Sequence, residues 1–464
     1  MRFPRLGCVG WVTAVILFVA ALGLVGYLWY HSTADIRQVE KEARALGIPP
    51  TWAEAGLVQS DPATRATFDA LVALSDKTPS WTKDHYVEMP RIGEEPSQEL
   101  RDHQGAIPPS VWAELSEKIS HLSAKPVVRF ANPQQYYTGK GMDFSQLRDL
   151  CRLFTERMLI VPLDHIPPLV LATSQTAQLV SPQSLIDQLI IDSMASMVAQ
   201  GVARRLPELR NTSAGHDCAE HLRQLRTAQW NTRASVWIAQ TTMMGYLPYN
   251  AFYSAYAAPF TFSFNPGVLW MQTKEYSKRI LWPLGWRLRR ADDMRFVLQH
   301  VVAYQASTDL SDLARRTSGA IYTPTTAQQF AGLLDVDSGI GSFSLIDQGF
   351  LRTMLSLDVV IAELEGSSLP IDCFSSPSAP IQPVIREGKR IGWYSVGPDG
   401  VDNGGLVKED YPIPTDGTFG KPHFADEPAE RSTTSKSRPV GMPPGVAAPP
   451  PVSNPPQTEV APTP

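Results

Sequence analysis

The sequence predicts a mainly α-helical protein with one N-terminal transmembrane helix, an exported helical domain, a small C-terminal β-hairpin and a disordered Pro-rich tail. Three observations predict this class: an uncharged run from Leu6 to Tyr30, apolar residues at helical spacing between Asp143 and Gly366, and clustered prolines after about residue 425. The length of 464 residues allows two or three domains, at roughly 150 residues per domain.

The composition excludes some classes of protein. The chain has 41 Lys+Arg against 46 Asp+Glu, so its net charge of −5 argues against a nucleic-acid partner. Of its 4 cysteines, Cys8 lies in the apolar run, and the other three can close at most one disulfide. Cys151 shares a helical stripe with Leu147, Leu150 and Phe154, which predicts a buried cysteine.

The N-terminal run of about 25 residues is longer than the roughly 20 that a helix needs to cross a bilayer. Arg2 and Arg5 precede it, so residues 1–5 should be cytoplasmic and the bulk of the chain periplasmic or outside. We therefore expect a single-pass protein of a bacterial inner membrane. The predicted membrane span, 6–30, includes residues along its whole length: Leu6, Trp11, Phe18, Leu24 and Tyr30.

A cleaved signal peptide is the alternative for this run. Ser32-Thr33-Ala34 offers a small-x-small cleavage pattern. The apolar region of a signal peptide is, however, only about 7–15 residues long. The length therefore favours an uncleaved anchor.

Proline and glycine positions divide the rest of the chain. We expect a juxtamembrane helical region over 31–130, a helical body over 131–366, a β-hairpin and Gly/Asp-rich turn segment over 367–424, and the disordered tail over 425–464. The predicted helices are 34–46, 62–74, 109–121, 184–206, 291–304, 309–316, 326–334 and 344–364, the last ended by Gly366. The hairpin should pair 381–386 with 389–396 through Glu387-Gly388.

An aromatic stretch from Arg233 to Lys274 contains no charged residue between its ends and is followed by a basic, Trp-bearing segment. A buried core with a solvated basic edge is the favoured interpretation. The alternative is a membrane-surface lipid binder that uses Trp237 to Arg290.

Catalytic motifs are missing from the sequence: it has no Walker A loop and no G-x-S-x-G, H-E-x-x-H or C-x-x-C pattern. His216, Cys218 and His221 resemble a ligand cluster, although Leu222 and Leu225 continue the Cys218 side and favour packing. Asp335 to Gly339 predicts a turn between helices rather than an EF-hand. The sequence thus leans away from an enzyme and indicates no cofactor.

A calcium site is the one metal site that we retain from the sequence. Asp399, Asp402 and Asn403 lie on a glycine-rich turn, where their oxygen ligands could converge on Ca²⁺. A hydrogen-bonded turn without metal is the simpler alternative.

The string Tyr394-Ser395-Val396-Gly397-Pro398-Asp399-Gly400, followed by Asp402-Asn403-Gly404-Gly405, resembles the C-terminal segment of type II secretion major pseudopilins. In that family a similar turn precedes acidic residues that hold calcium. This chain departs from the family at its N-terminus, which lacks the basic leader and the Glu five residues into the apolar helix. The whole layout is similar to a group of uncharacterised single-span bacterial envelope proteins, a resemblance that implies topology only.

Together, these observations predict a non-catalytic interaction or scaffold protein. Its expected partners are the lipid bilayer and an envelope protein or wall polymer. The alternative is a membrane-anchored, hydrolase-like enzyme whose site is assembled only in three dimensions. Two carboxylates, or a His–carboxylate pair, lining one pocket would favour that alternative.

Overall fold

The chain divides into two units, Met1–Phe424 and Ala425–Pro464, and every described residue belongs to the first. The computed structural model describes residues 8–50, 54, 62–75, 90, 92, 94–120, 127–128, 145–181, 185–235, 237–238, 290–318, 343–376, 378–386, 388–405 and 410–413. The predicted tail, most of the aromatic stretch, the predicted helix 326–334 and the turn at Asp335 lie outside these residues.

The mainly helical class is confirmed for the described residues. Helix α1 is Cys8–Ala45, α2 Pro62–Ser75, α3 Gln98–Gly105, α4 Pro109–Ser120, α5 Ser145–Ile160, α6 Ile166–Gln178, α7 Leu185–Arg204, α8 Leu206–Leu209, α9 Ser213–Thr232, α10 290–306, α11 Leu310–Ser318 and α12 Phe343–Glu365. The strands are β1 Val127–Val128, β2 Val180–Ser181, β3 Gln382–Arg386, β4 Lys389–Ser395 and β5 Tyr411–Ile413.

Helix α1 joins two elements that the sequence predicts separately. The apolar run and the charged segment after Ala34 form one helix of 38 residues, about 57 Å long at 1.5 Å per residue. It contains an 18-residue window of mean hydropathy 2.3 that is long and apolar enough to cross a membrane, and none of that window is buried. The helix ends at Ala45, and Gly47 just after it has a φ of 72°, which lets the Ile48 N–H reach the Ala43 carbonyl at 2.9 Å.

Helix α7 lies at the centre of the body. It packs against α5, α6 and α12, while α9 packs against α6 and α12. Its residues Met194, Val198 and Val202 recur every fourth position and are fully buried, as the sequence periodicity predicts. Each such side chain contributes about 1.5–3 kcal/mol by leaving water. The predicted helix to Leu206 ends at Arg204, and Leu206-Pro207 starts the short α8.

The predicted hairpin is present and belongs to a three-stranded antiparallel sheet in the order β3-β4-β5. Gly388 has a φ of 75° in the hairpin turn, and a register shift lies between Val384 and Ile385. Strand β5, which the sequence analysis does not predict, pairs Ile413 with Trp393, and both side chains are buried. A second unpredicted pairing is the short parallel contact of β1 with β2.

Candidate functional site

Four ionisable side chains from three helices lie buried close together in the body. We call them the buried polar cluster: Asp192 on α7, His300 and Tyr304 on α10, and Asp347 on α12. His300 and Tyr304 are one helical turn apart, so both face α12. Buried ionisable groups of this kind are rare unless they are paired, which makes the cluster the natural candidate for function.

The Asp347 carboxylate binds both residues of α10. Its Oδ2 lies 3.1 Å from His300 Nε2, and its Oδ1 accepts a hydrogen bond of 2.8 Å from the Tyr304 hydroxyl. The other ring nitrogen of His300, Nδ1, lies 3.0 Å from the Phe296 carbonyl oxygen. The Trp237 ring stacks on the imidazole with 4.3 Å between ring centroids. His300 is therefore held on both edges and on one face.

This geometry fixes one proton of His300 and favours a second. A carbonyl oxygen only accepts hydrogen bonds, so Nδ1 carries a proton, and Nε2 faces the Asp347 carboxyl group at 3.1 Å. Burial by itself lowers the pKa of His300, but the hydrogen bond and negative charge of Asp347 outweigh it and raise the pKa above its ordinary value. His300 and Asp347 thus form a buried ion pair.

Asp192 is buried without a cation beside it. Its Oδ1 accepts a hydrogen bond of 2.6 Å from Gln188, while its Oδ2 has no hydrogen-bond donor among the described residues. The Thr353 hydroxyl donates to the Asp192 carbonyl at 3.3 Å, which fixes α7 against α12. Burial raises the pKa of Asp192 to about 8. Near neutral pH the side chain is thus mostly the uncharged acid.

A His–carboxylate pair is the core of many general-base sites, but such a base needs a ring nitrogen that can reach a substrate. In this structure both nitrogens of His300 are occupied, and the side chain is only 2% exposed. The pair therefore joins helices in the geometry observed, and it presents no free nitrogen to a ligand.

The turn that was predicted to hold calcium is built from hydrogen bonds. Asp402 Oδ1 accepts from the Tyr394 hydroxyl and from the Gly404 N–H, both at 2.9 Å. Asp399 Oδ1 accepts from the Val401 N–H at 3.2 Å, as in an Asx-turn. The Asn403 side-chain amide donates to the Val401 carbonyl at 3.1 Å.

The described part of the chain contains no group of three or more His, Cys, Asp or Glu arranged to hold a metal ion. The calcium site at Asp399, Asp402 and Asn403 stays a prediction.

The segment from Tyr394 to Gly405 has a structural role in the same region. A buried aspartate upstream, Asp372, accepts hydrogen bonds of 2.8 Å from both the Ser395 hydroxyl and the Val396 N–H. Gly405 lies against the Tyr394 ring, where an added Cβ would come within 2.6 Å of a ring carbon. The serine and this glycine are therefore needed for the turn itself.

Glu363 joins this sheet to the body. Its carboxylate lies 2.5 and 3.0 Å from the two terminal nitrogens of Arg390, and it accepts a hydrogen bond of 3.2 Å from Trp393 Nε1. Arg210 also pairs with it. Since Glu363 is on α12 and both Arg390 and Trp393 are on β4, the carboxylate fixes the strand to the helix.

The side chains of His216, Cys218 and His221 on α9 lie in different environments. Cys218 is fully buried in the hydrophobic core, which confirms the packing interpretation, and burial raises the pKa of its thiol to about 12. His221 instead lines an open cleft of about 410 Å³ between α6 and α9, together with Asp164, Asp217 and Glu220. His216 is exposed on the same helix.

The comparisons with known proteins returned no family model, no curated protein and no solved structure that matches this chain.

The sequence analysis misses the buried polar cluster. A signal for it exists: Asp347 directly follows Ile346 at the start of the apolar face of α12, and His300 lies in the apolar run before Val301. A carboxylate and a histidine within buried helix faces indicate a paired site. The contact between residues more than 40 positions apart leaves no recognisable pattern in a single sequence.

Proposed function

We propose that this protein is a non-catalytic interaction module, anchored by a single span and held against the membrane surface by one unbroken helix. The observation that carries the proposal is the continuity of α1 from the apolar run into the packed body. A module on a stiff helix presents its surfaces at a fixed height, which suits the recognition of neighbours in or on the membrane.

The burial along α1 changes within one helical turn. Trp11 is 65% exposed and Tyr30 72% exposed, whereas Val39 and Ala43 are 0% exposed. Ser32, Ile36, Val39 and Ala43 follow the 4-3-4 spacing of one helix face, and the last three belong to the main hydrophobic core. The helix therefore has a part exposed on all sides, suited to lipid, directly followed by a part packed on one face.

The hydrogen bonds at the junction support an unbroken helix. The Ser32 and Thr33 hydroxyls both donate to the Trp29 carbonyl, at 2.9 and 2.7 Å, so they use their polar groups within the helix. The small-x-small pattern Ser32-Thr33-Ala34 thus lies inside a regular helix rather than in an extended segment. This geometry supports an uncleaved anchor.

The proposal includes a location and an orientation. Arg2 and Arg5 before the span favour a cytoplasmic N-terminus, and the body would then be periplasmic or outside, at a bacterial inner membrane. Its partners would be the bilayer and an envelope protein or wall polymer. The resemblance to single-span envelope proteins is consistent with this layout.

A membrane-anchored enzyme is the second candidate, and two observations favour it. One is the His300–Asp347 pair, and the other is the open cleft lined by His221 together with Asp164, Asp217 and Glu220. The occupied ring nitrogens and the burial of His300 favour the interaction module instead. The lipid-binder hypothesis stays a prediction, because most of the Trp237 to Arg290 segment lies outside the described residues.

The test combines fractionation with proximity labelling in the native cell. A labelling enzyme fused after Pro464 should mark a small, reproducible set of envelope neighbours, and the full chain should stay with the membrane after an alkaline wash. A variant exported by a cleaved signal in place of residues 1–30 should lose these neighbours. The matched control, with residues 6–30 replaced by an unrelated apolar helix of equal length, should keep them.

Two results would contradict the proposal. The first is recovery of the native chain as a soluble species, or of a mature chain that begins at Asp35. The second is an unchanged set of neighbours when the span is absent, since placement at the membrane would then be irrelevant to recognition.

A further inference from the structure

We propose that the buried polar cluster is a pH-dependent switch, in which the loss of two protons separates α10 from α12. The inference concerns the interior of the body and does not rest on the proposed function. It begins from geometry: all four side chains of the cluster are buried, and Asp347 joins α10 to α12 through His300 and Tyr304. Asp192 of α7 lies against the same part of α12, beside Gly349, and acts electrostatically on Tyr304.

The first step is the charge of the cluster in the observed geometry. His300 is positive, Asp347 is negative, and Tyr304 donates its hydroxyl hydrogen to Asp347, so it is neutral. Asp192 has one oxygen bonded to Gln188 and the other without a donor among the described residues. The neutral acid is the form that fits this environment, so the cluster carries no net charge.

The second step is the consequence of raising the pH. Asp192 and His300 are the two groups that release a proton, and the cluster then holds two carboxylates and no cation. Buried charges without a partner are strongly unfavourable, and breaking a buried pair leaves such a charge. An opened α10 lets both groups titrate near their ordinary pKa values, so opening becomes easier as the pH rises. For Asp192 this holds between about pH 4 and pH 8, and for His300 from its ordinary pKa up through its raised pKa.

Other charged groups surround the cluster. Arg233, at the end of α9, acts electrostatically on Tyr304, and its guanidinium donates to the Trp230 and Ser307 carbonyls. On α5, Glu156 accepts from Gln104 at 3.1 Å, and on α9, Arg226 pairs with Asp358 at 2.9 Å. On α11, which packs against α12, Asp312 pairs with Arg316 at 2.9 Å. Helices α7, α10 and α12 carry further charged groups, which include Asp187 on α7, Asp293 on α10 and Arg352 on α12. The Arg352 guanidinium lies over the Tyr411 ring.

The weakest connection in the cluster is that of α10. Two side chains of α10, His300 and Tyr304, meet α12 at one carboxylate, that of Asp347. Deprotonation of His300 removes the ion pair, and a charge on Asp192 adds a second buried negative charge that acts on Tyr304. Helices α7 and α12 remain joined by their apolar faces and by the Thr353 hydroxyl. Opening should therefore be local to α10.

Hydrogen–deuterium exchange of the full chain in lipid nanodiscs tests the switch at pH 6 and pH 9. Protection of the peptide 290–306, corrected for its intrinsic exchange rate, should fall at least tenfold in the wild type between these pH values. In Asp192→Asn, which keeps the shape and cannot ionise, the fall should be threefold or less. The control Glu156→Gln changes a buried carboxylate outside the cluster and should behave as the wild type.

Two results would overturn the proposal, and the first needs only the wild type. A change in protection of 290–306 smaller than threefold between pH 6 and pH 9 would refute it. An equally large fall in Asp192→Asn and in the wild type would also refute it, because opening would then be independent of this carboxyl.

Discussion

Replacing Asp192 with Asn should stabilise the protein at neutral pH and leave its stability unchanged in acid. Among the described residues this buried carboxyl has no cation beside it and no donor for one of its oxygens, and burial raises its pKa to about 8. An Asn side chain has the shape of the neutral acid and can still accept the hydrogen bond from Gln188. The substitution therefore removes the ionisation without opening a cavity.

The magnitude follows from linkage. In the unfolded chain Asp192 loses its proton above about pH 4, whereas in the folded chain it keeps the proton until about pH 8. Between these values the folded state binds one more proton, so the stability of the wild type falls as the pH rises, by about 1.4 kcal/mol per pH unit. At pH 7 this penalty amounts to at most about 4 kcal/mol, and at pH 4 it is close to zero.

The assay is denaturant unfolding of the full chain in nanodiscs at pH 4, 5.5 and 7. Asp192→Asn should exceed the wild type in free energy of unfolding by a margin that grows with pH, to about 2–4 kcal/mol at pH 7. Asp69→Asn, at an exposed carboxylate paired with Arg65, should change stability by less than about 1 kcal/mol. A difference between Asp192→Asn and the wild type that does not vary with pH would refute the reasoning.

Three further substitutions or modifications test other parts of the fold. Glu363→Gln should cost about 1–3 kcal/mol, because it leaves the partly exposed Arg390 without its carboxylate, and limited proteolysis should then release the sheet from the body. Gly366→Ala should lower the free energy of unfolding by about 1 kcal/mol, since Gly366 has a φ of 65°, whereas Gly105→Ala should be neutral or stabilising. Cys218 should resist alkylation in the native chain and react only in denaturant, as judged by mass spectrometry, because burial raises its thiol pKa to about 12.

The parts of the fold that the sequence predicts are those with local signals. Pro62 and Pro109 stand at the starts of their helices, and Gly366 ends α12 with the Ser367 N–H bonded to the Ala362 carbonyl at 2.9 Å. Proline in the first turn has no N–H to leave unpaired, and glycine after the last turn lets the following N–H groups bond to the last carbonyls. A single residue can therefore mark the end of a helix in the sequence.

The parts that the sequence misses depend on contacts distant along the chain. Strand β5 has only three residues and is recognisable only by its pairing with β4. The buried polar cluster needs α7, α10 and α12 to be packed before Asp192, His300 and Asp347 come together. Helical periodicity predicts that these helix faces are buried, but it does not indicate which faces meet.

The unbroken α1 has a consequence for how variants of this chain can evolve. An α-helix turns by about 100° per residue, so one residue gained or lost between Tyr30 and Ser32 would rotate the whole body by that angle about the helix axis. Changes of seven residues would nearly restore the original direction and would lift the body by about 10 Å. In the proposed anchored arrangement, the length of the junction thus sets which side of the body faces its neighbours in the membrane plane.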